Sequence, residues 1–381
     1  MKWLTKIFNR EVKFNDYPKN ISWMLKDDLS PNIKNLKHCK EFHALIGVKQ
    51  SPKWHKEGDA WNHTLAVSKE MFKLISDKSW FLTDYDKKVL MIAALCHDLG
   101  KATTTYFDKN EQDWKCKNHG YASEQITREL IFDQDINTRE EICWLVRWHM
   151  SFHYILQKTH SEQFQEITRL SQGFSTVEKL LILNLADSRG SKSEDNSEDK
   201  INERLKSITE LAMSNKCYIK PFECHRKSPD CNMYVMIGLP GSGKDTYIKK
   251  FLKDLPCICR DDIREEVTDG QVLGRKLMLD SQGEKAVTNI VNERIKNCCI
   301  NKKDFVINQT SLKKKYRLDF KELAFKYANV NVIYVYVEAP SIQECIDRRG
   351  GGKWNDIIKK MWSCFEFPDK SECNKMIIYK Q

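Results

Sequence analysis

Residues 233–246 read MYVMIGLPGSGKDT, a short run of apolar and aromatic residues followed by a glycine-rich turn and the start of a helical pattern. Gly238 to Lys244 fits the spacing G-x-x-x-x-G-K in the strand-to-helix context that this motif requires. Gly238, Gly241 and Gly243 let the backbone N–H groups point at phosphate oxygens, and the dipole of the next helix adds to the attraction. The stretch predicts a phosphate-binding loop in an α/β domain.

The polar residues of this loop indicate a triphosphate bound with magnesium. Ser242 belongs to the predicted cradle, and Lys244 is expected to reach the outer phosphates. The residue after the lysine, normally a Ser or Thr that binds magnesium, is Asp245, and Thr246 follows it. Because a carboxylate binds magnesium directly or through water, either Asp245 or Thr246 could hold the ion.

The pattern after this loop predicts the rest of the α/β domain. Met233–Ile237, Phe305–Asn308 and Val330–Val337 are short β-branched or aromatic runs, and helical patterns such as Gln282–Ile295 separate them. Strands that alternate with helices are typical of a parallel, doubly wound sheet.

Two further segments of this domain carry charged residues suited to phosphate chemistry. Residues 257–264 read CICRDDIR, and we expect Asp261 to follow a strand next to the phosphate loop, where a general base is needed. Residues 342–352 read IQECIDRRGGG, which predicts a lid that brings Arg348 or Arg349 over a transferring phosphate. Without a phosphate loop, a basic helix end beside a flexible turn would be the better interpretation.

The chain before the loop reads as helices. Val89–Leu99 is a long apolar run, and Glu140–Met150 and Thr176–Ala186 repeat apolar residues every three or four positions. The polar stretch Ser188–Lys200 predicts an exposed loop, and two prolines break the pattern within Asn215–Asn232. We therefore predict a multi-domain protein with an all-α helical bundle over 1–215, a linker over 216–232 and an α/β domain with a parallel sheet over 233–381.

Candidate metal ligands stand in five separate segments of the helical part. Imidazole nitrogens suit transition metals and carboxylate oxygens suit both these and harder cations, and helices of a bundle can bring such side chains together. A salt-linked histidine in the core is the alternative for any one of them taken alone. His55 and His153 are expected to be structural or to support the ligands. The candidate ligands are His63, the pair His97 and Asp98, His119, His149 and Asp187.

Composition limits the class of protein. The chain has 381 residues, of which 41% are hydrophobic and 30% charged, and no apolar run approaches the roughly 18 residues of a membrane span. Fourteen scattered cysteines without a C-x-x-C pair argue against a disulfide framework or a cysteine zinc knuckle, and the first residues lack a secretory signal, so we expect a cytoplasmic protein. The net charge is +10, and 27 basic against 20 acidic residues after Asn232 favour a polyanionic partner, although a lysine-rich surface is an equal explanation.

The helical part resembles the HD phosphohydrolase superfamily, whose pattern is H…HD…D, over roughly residues 40–215. WHKEGDAWNHT (54–64) and HDLGK (97–101) look like the HD domains attached to transfer-RNA nucleotidyltransferases. The resemblance implies one or two divalent metals, with Lys101 neutralising charge. The sequence does not identify the metal, because mixed nitrogen and oxygen ligation admits manganese, iron, cobalt, nickel or zinc. The resemblance implies a first metal on His63, His97, Asp98 and Asp187, and a second, bridged by Asp98, on Asp98, His119 and His149.

The second part resembles the P-loop polynucleotide kinases, including the kinase module of the bacteriophage end-healing enzyme, over residues 233 to about 353. The matching stretches are GLPGSGKDT, RDDIR, VINQTSL with the later Arg317, and YVYVEAPSIQECIDRRGGG. In the phage motif an aspartate stands at about the place of Gln309. The resemblance implies that Lys244 binds the phosphates of ATP, Asp261 is the general base for a 5′-hydroxyl, Arg264 contacts the neighbouring phosphate, and Arg348 or Arg349 supplies transition-state charge.

The two parts in this order resemble the bacterial HD-Pnk end-healing enzymes. That resemblance implies hydrolysis of 2′,3′-cyclic phosphate and 2′- or 3′-phosphate ends of RNA or DNA, and ATP-dependent phosphorylation of 5′-hydroxyl ends. The chain has no K-x-D-G ligase motif, so a separate ligase would seal the ends. Two alternatives stay open: an enzyme of nucleotide metabolism that pairs an HD nucleotidase with a small-molecule kinase, and a nucleic-acid-binding regulator that uses ATP as a switch.

Overall fold

A computed structural model of the chain describes residues 14–171, 173–193, 197–218, 228–268, 281–369 and 372–380. The chain divides into two compact units, Met1–Pro221 and Phe222–Gln381. The predicted linker 216–232 lies partly outside the described residues.

The first unit is helical, as predicted, and it also contains a β-hairpin that the sequence pattern did not reveal. Strands β1 and β2 pair antiparallel, from Thr105 opposite Cys116 to Asp108 opposite Asp113. A 3₁₀ turn covers Lys78–Trp80. The described elements are α1 (Ile33–Lys37), α2 (Lys40–His43), α3 (Ala60–Ser76), α4 (Asp84–Cys96), α5 (Lys101–Thr104), β1 (Thr105–Asp108), β2 (Asp113–Cys116), α6 (His119–Leu130), α7 (Ile136–Trp148), α8 (Ser151–Ile155), α9 (His160–Ser171), α10 (Val177–Gly190) and α11 (Glu198–Tyr218).

Helix α4 is the centre of this bundle. It begins with a capping box in which Thr83 and Asp86 satisfy each other's backbone N–H groups, and every residue from Val89 to Cys96 is buried. Because the helix is apolar on all sides, neighbours must surround it: α3, α7 and α10 pack against it. The buried end of α4 therefore delivers His97 and Asp98 to the interior.

Helix α10 is longer than the apolar pattern predicted. It continues through Asp187 and Ser188 to Gly190, so the predicted exposed loop 188–200 begins too early, and its residues 194–196 lie outside the described chain. A Cβ atom at Gly190 would lie 2.8 Å from the backbone nitrogen of Val67, so glycine permits α10 to approach α3 closely. The polar residues Asp187 and Ser188 are buried by this contact rather than exposed.

The second unit has the predicted α/β architecture, with a five-stranded, entirely parallel sheet in the order β4-β5-β3-β6-β7. The expectation that the strand before Asp261 lies directly beside the strand of the phosphate loop was wrong, because β5 lies between β4 and β3. The described elements are β3 (Cys231–Ile237), α12 (Lys244–Phe251), β4 (Cys257–Cys259), α13 (Arg260–Val267), α14 (Ser281–Ile300), β5 (Phe305–Asn308), α15 (Lys314–Phe325), β6 (Val330–Glu338), α16 (Ile342–Asp347), α17 (Trp354–Trp362) and β7 (Lys375–Lys380).

The two central strands explain where this unit keeps its polar residues. β3 pairs with β6 along its whole length, from Cys231 opposite Val330 to Ile237 opposite Tyr336, and both strands are largely buried. Side-chain chemistry is therefore placed at the carboxyl ends of the strands, where loops emerge. The cysteines whose side chains the structure describes are all free thiols. Within the described chain, no helix combines the length and the apolar character needed to cross a bilayer.

Candidate active sites

The first histidine group lies where α3, α4 and α10 meet. His63 Nε2 lies 3.3 Å from His97 Nε2 and 3.0 Å from Asp187 Oδ1, and the distance from His97 Nε2 to Asp187 Oδ1 is 3.8 Å. All three side chains are buried. Three residues that are far apart in the sequence thus direct one donor atom each at the same point.

The second group joins α6 to the end of α7. His119, predicted in a loop, is the first residue of α6, and its Nε2 lies 3.0 Å from the Nε2 of His149, which caps α7. Asp98 Oδ1 lies 3.4 Å from the first of these nitrogens and 3.9 Å from the second. The ligand atoms of each group lie within 4.8 Å of one another, a spacing that one cation can bridge.

Asp98 belongs to both groups. Its Oδ2 lies 3.2 Å from His97 Nε2 and 3.4 Å from His63 Nε2, while its Oδ1 faces the second group. Oδ1 is buried and makes no hydrogen bond with the described residues. Burial alone would raise the pKa of this carboxyl, but His97 and Lys101 hold it well below its usual range. An ionised, buried carboxylate without a hydrogen bond on one oxygen fits a metal-bridging ligand.

The outer nitrogens of the histidines determine which atoms face inward. The Nδ1 atoms of His97, His119 and His149 donate to the backbone carbonyls of residues 94, 116 and 146, at 2.8, 2.9 and 2.7 Å. Since a carbonyl only accepts, Nδ1 carries a proton, and in the neutral imidazole each Nε2 presents a lone pair. Nitrogen lone pairs that face one another at about 3 Å repel unless a cation lies between them. The donor set therefore fits divalent transition metals, in one or two sites.

Burial also favours the neutral form of the histidines in the second group. It lowers the pKa of His149 to about 3 and also lowers the pKa of His119, so both imidazoles stay neutral and able to bind a metal near neutral pH. Lys101 Nζ lies 2.7 Å from Asp98 Oδ2 and donates to Gln50 Oε1 at 2.6 Å, which keeps a buried positive charge at the edge of the centre.

Close packing at Gly100 explains why His119 reaches Asp98. A Cβ atom at this position would lie 2.3 Å from the backbone oxygen of His119 and 2.6 Å from the nitrogen of Ser123. Any larger residue would push α6 away from the end of α4. The glycine of the HDLGK stretch is thus required by the approach of two helices.

Two residues of this centre were missed by the sequence reasoning. Glu57 Oε1 accepts hydrogen bonds from Nδ1 of His63 and of His55, both at 2.8 Å, and Gln50 binds Lys101. Both lie in the irregular segment before α3, where no periodicity marks them. The only sequence feature that could have indicated Glu57 is its position six residues before His63. His55 thus supports a ligand through Glu57, and His153 lies in α8 beside Arg204.

The phosphate loop follows β3 and has the backbone that its glycines predict. The φ angles of Gly238, Gly241 and Gly243 are 153°, 85° and 94°. A Cβ atom at Gly241 would lie 2.7 Å from the backbone oxygen of Cys345, so both conformation and space select glycine there. Ser242 is buried within the loop.

Lys244 is held inside its own loop. Its Nζ donates to the carbonyl oxygens of Gly238 and Leu239 at 3.0 and 2.8 Å, and burial lowers its pKa to about 8. Asp245 Oδ1 accepts from Asn308 Nδ2 at 2.8 Å, while Thr246 is exposed. Asp245 is therefore the more enclosed of the two candidate magnesium ligands.

Asp261 lies in the first turn of α13, after β4. Arg264 Nη1 donates to Asp261 Oδ1 at 2.7 Å, and Arg264 Nε donates to Glu284 Oε1 at 2.7 Å. Arg260 Nη2 also donates to Glu284, at 2.8 Å. Arg264 and Arg260 lower the pKa of Glu284 to about 2. The sequence reasoning did not single out Glu284. Asp261 lies near enough to Lys244 to affect its pKa.

The two candidate lid arginines take different positions. Arg348 Nη1 donates to the carbonyl oxygen of Gly241 in the phosphate loop at 3.2 Å. The Arg349 guanidinium lies 5.2 Å from the centre of the Trp354 ring and is close enough to lower the pKa of Lys244. Arg317 is fully buried and paired with Glu372, which is a structural role.

Comparison with known families matches each unit separately. The HD domain family matches residues 60–199, and the AAA domain family matches residues 233–352. The chain therefore joins a region that matches the HD domain, a domain type that binds divalent metals, to a region that matches the AAA domain.

Individual relatives match only parts of the chain. The multifunctional CCA protein of Shewanella frigidimarina is 39% identical over 103 residues, which are 25% of this chain and 21% of that protein. The multifunctional CCA protein of Mannheimia succiniciproducens is 24% identical over 156 residues, 39% of this chain and 35% of that protein. The chain thus spans about a fifth to a third of the length of these curated relatives.

Among solved structures, a candidate kinase of Chloroflexus aurantiacus has a TM-score of 0.33 at 12% identity, covering 40% of this chain and 88% of that one. A sugar kinase of Janibacter has a TM-score of 0.29 at 15% identity, covering 39% of this chain and 85% of that one. Both scores are too low to carry an argument.

Proposed function

We propose that the chain is a bifunctional enzyme that heals the broken ends of RNA or DNA. The HD unit removes 2′,3′-cyclic phosphate and 2′- or 3′-phosphate ends, and the P-loop unit phosphorylates 5′-hydroxyl ends from ATP. One observation carries the proposal: Asp98 stands between two histidine groups, in a chain that also holds a phosphate loop whose lysine is near enough to the carboxylate of Asp261 for that charge to raise its pKa.

In the HD unit, divalent cations would supply Lewis acidity and an activated water for attack on phosphorus. The residues of the chain prepare the site for that chemistry. Asp98 and Asp187 balance the positive charge, and the backbone carbonyls hold the histidines in the tautomer that binds metal. Lys101 is placed to neutralise charge that develops on the phosphate, because its ammonium is buried beside Asp98.

In the P-loop unit, the backbone of the loop and Lys244 bind the phosphates of ATP together with Mg²⁺ at Asp245 or Thr246. Asp261 accepts the proton of the 5′-hydroxyl while the hydroxyl oxygen forms a bond to the γ-phosphorus. The bond from that phosphorus to the bridging oxygen of ADP breaks at the same time. Arg264 contacts the phosphate next to the acceptor, and Arg348 or Arg349 stabilises the charge on the transferring group.

The substrate and product of these reactions define the partners. The protein acts on nucleic-acid ends in the cytoplasm, and a separate polynucleotide ligase joins the 3′-hydroxyl and 5′-phosphate ends that it leaves. The excess of basic residues after Asn232 supports a polyanionic substrate for the kinase unit.

One incubation tests the proposal. The protein is mixed with labelled ATP, magnesium, manganese and a single-stranded RNA that carries a 5′-hydroxyl and a 2′,3′-cyclic phosphate. We expect label at the 5′ end and a free 3′-hydroxyl. Equal phosphorylation of plain nucleosides would favour nucleotide metabolism instead, and ATP hydrolysis that never labels an oligonucleotide would favour an ATP-driven switch.

A further inference from the structure

An open channel leads away from the metal centre of the HD unit. A cavity of about 370 Å³ is lined by the metal-facing residues Asp98, His119 and His149, and it continues into a second cavity of about 900 Å³. The two share part of their walls, including Trp54, Trp114 and Tyr154. A substrate with its phosphate at the centre would therefore extend past these aromatic side chains.

The aromatic residues come from three different elements and remain accessible. Trp54 lies in the turn before α3 and is 41% exposed, and Tyr154 of α8 is 56% exposed. Trp114 of β2 is half-buried. A single exposed aromatic residue is ordinary on a protein surface, but three around one opening mark a binding surface.

Local contacts hold this surface in place. Ser51 Oγ donates to Asp113 Oδ2 at 2.5 Å, which ties the turn that carries Trp54 to strand β2. Across the hairpin the rings of Trp114 and Phe107 pack edge to face with centres 5.3 Å apart. The hairpin thus forms one wall of the channel, and these contacts already hold the Trp114 ring in place there.

The charge of the channel selects an anionic occupant. Among its lining residues outside the metal ligands, the acids are Glu111 and Asp113, and Asp113 already accepts from Ser51. Lys53 Nζ lies 4.6 Å from the centre of the Trp54 ring, so a positive charge lies next to one of the aromatic side chains. The basic lining residues are more numerous: Lys49, Lys53, Lys101, Lys115, Lys117, Arg147 and Arg204. Three of them are paired with acids, namely Lys101 with Asp98, Lys115 with Glu111 and Arg147 with Glu124.

We propose that this channel binds the nucleotides that precede the terminal phosphate of a single-stranded nucleic acid. Basic residues follow the backbone, and unpaired bases stack on Trp54, Trp114 and Tyr154. A duplex is excluded from this mode because its bases are already stacked on one another. The inference deepens the proposed function, since it rests on the HD unit acting on nucleic-acid ends.

The test compares a long and a short substrate of the same reaction. Trp54→Ala and Tyr154→Ala are assayed on a single-stranded oligonucleotide with a 2′,3′-cyclic phosphate end and on a 2′,3′-cyclic mononucleotide. We expect KM for the oligonucleotide to rise roughly 5- to 150-fold for each lost stacking contact, and more than for the mononucleotide, so that the preference for the longer substrate falls. Phe81→Ala, which removes a 91% exposed ring outside the channel, is the matched control and should change neither.

Equal effects on both substrates would overturn the proposal, because they would assign these residues to the metal centre alone. No difference from the Phe81→Ala control would overturn it as well. Binding of a fluorescent single-stranded oligonucleotide to the full chain separates this inference from the proposed reaction. If the wild type hydrolyses no cyclic end but binds the strand, and Trp54→Ala weakens that binding, the channel stands and the reaction fails. Equally tight binding of a duplex would refute the single-strand mode.

Discussion

The candidate metal centre and the phosphate loop are built on opposite principles. The metal centre consists of side chains from five segments between His63 and Asp187, and helix packing brings their donor atoms within a few ångströms. The phosphate loop consists of consecutive residues from Gly238 to Lys244, and its main groups belong to the backbone. The first site should therefore depend on individual side chains, and the second on loop conformation and one lysine.

The largest effect should come from Asp98→Asn. The amide keeps the shape of the side chain but loses the negative charge that both histidine groups face. Hydrolysis of phosphate ends should therefore fall more than about a hundredfold, which exceeds the loss expected for a residue that only hydrogen-bonds to a metal ligand. Kinase activity should persist because it belongs to the other unit. Asp84→Asn, at the exposed start of α4, the helix that leads to Asp98, is the control. Loss of both activities in a folded Asp98→Asn protein would contradict independent sites.

Lys244→Ala should produce the reverse pattern. Removing this ammonium takes away a charged donor to the triphosphate, and kinase activity should fall by about 10²- to 10³-fold. Hydrolysis of cyclic phosphate ends should continue. Steady-state kinetics of both reactions on one preparation measure the contrast, with the exposed Lys249→Ala on the same helix as control. A kinase that tolerates the loss of Lys244 would show that this loop does not transfer phosphate.

Glu57→Gln tests whether the metal centre depends on residues behind its ligands. The substitution weakens the acceptor that holds His63 Nδ1, and the affinity for divalent metal should drop roughly 10- to 100-fold. Competition with a chelator, followed by metal analysis, measures the change. Glu70→Gln on the surface side of α3, where Glu70 pairs with Lys73, should leave the affinity unchanged. If both variants keep wild-type affinity, Glu57 has no part in orienting the ligand.

Gly241→Ala tests the dependence of the phosphate loop on its backbone, and its effect should be the smallest. The left-handed conformation alone costs about 1–2 kcal/mol in a non-glycine residue, and the clash with the Cys345 oxygen adds to this. Gly350→Ala has a similar φ of 82° but open space around its Cβ, so it isolates the conformational cost. Denaturant unfolding and ATP titration should both be affected more in Gly241→Ala. Equal stabilities would mean that the loop shifts away from α16.

Much of the fold was readable from local patterns. The apolar run of α4 and the short strands β3, β5 and β6 appear where periodicity predicted them, because buried elements need apolar residues along their length. The end of α10 and the hairpin β1–β2 were not predicted. The polar end of α10 is buried where Gly190 lets the helix pack closely on α3, and the hairpin has no strong alternating pattern.

The same division applies to the candidate sites. The residue types and their order along the chain predicted all the residues that form the two histidine groups. The role of Glu57 and the aromatic channel depend on contacts between distant segments, which the sequence did not reveal. Strand order shows the limit most clearly: β5 lies between β4 and β3, although β4 is nearer to β3 in the chain.

The sequence by itself determined the classes of element, the contiguous glycine cradle, and the residue types able to bind cations. Each of these depends on chemistry within a few neighbouring residues. Only the tertiary structure decided that Glu57 lies behind His63 and that β5 adjoins the strand of the phosphate loop. It also brought Trp54, Trp114 and Tyr154 to the walls of the same two cavities. Those arrangements result from packing between segments far apart in the chain, where no local energy distinguishes one partner from another.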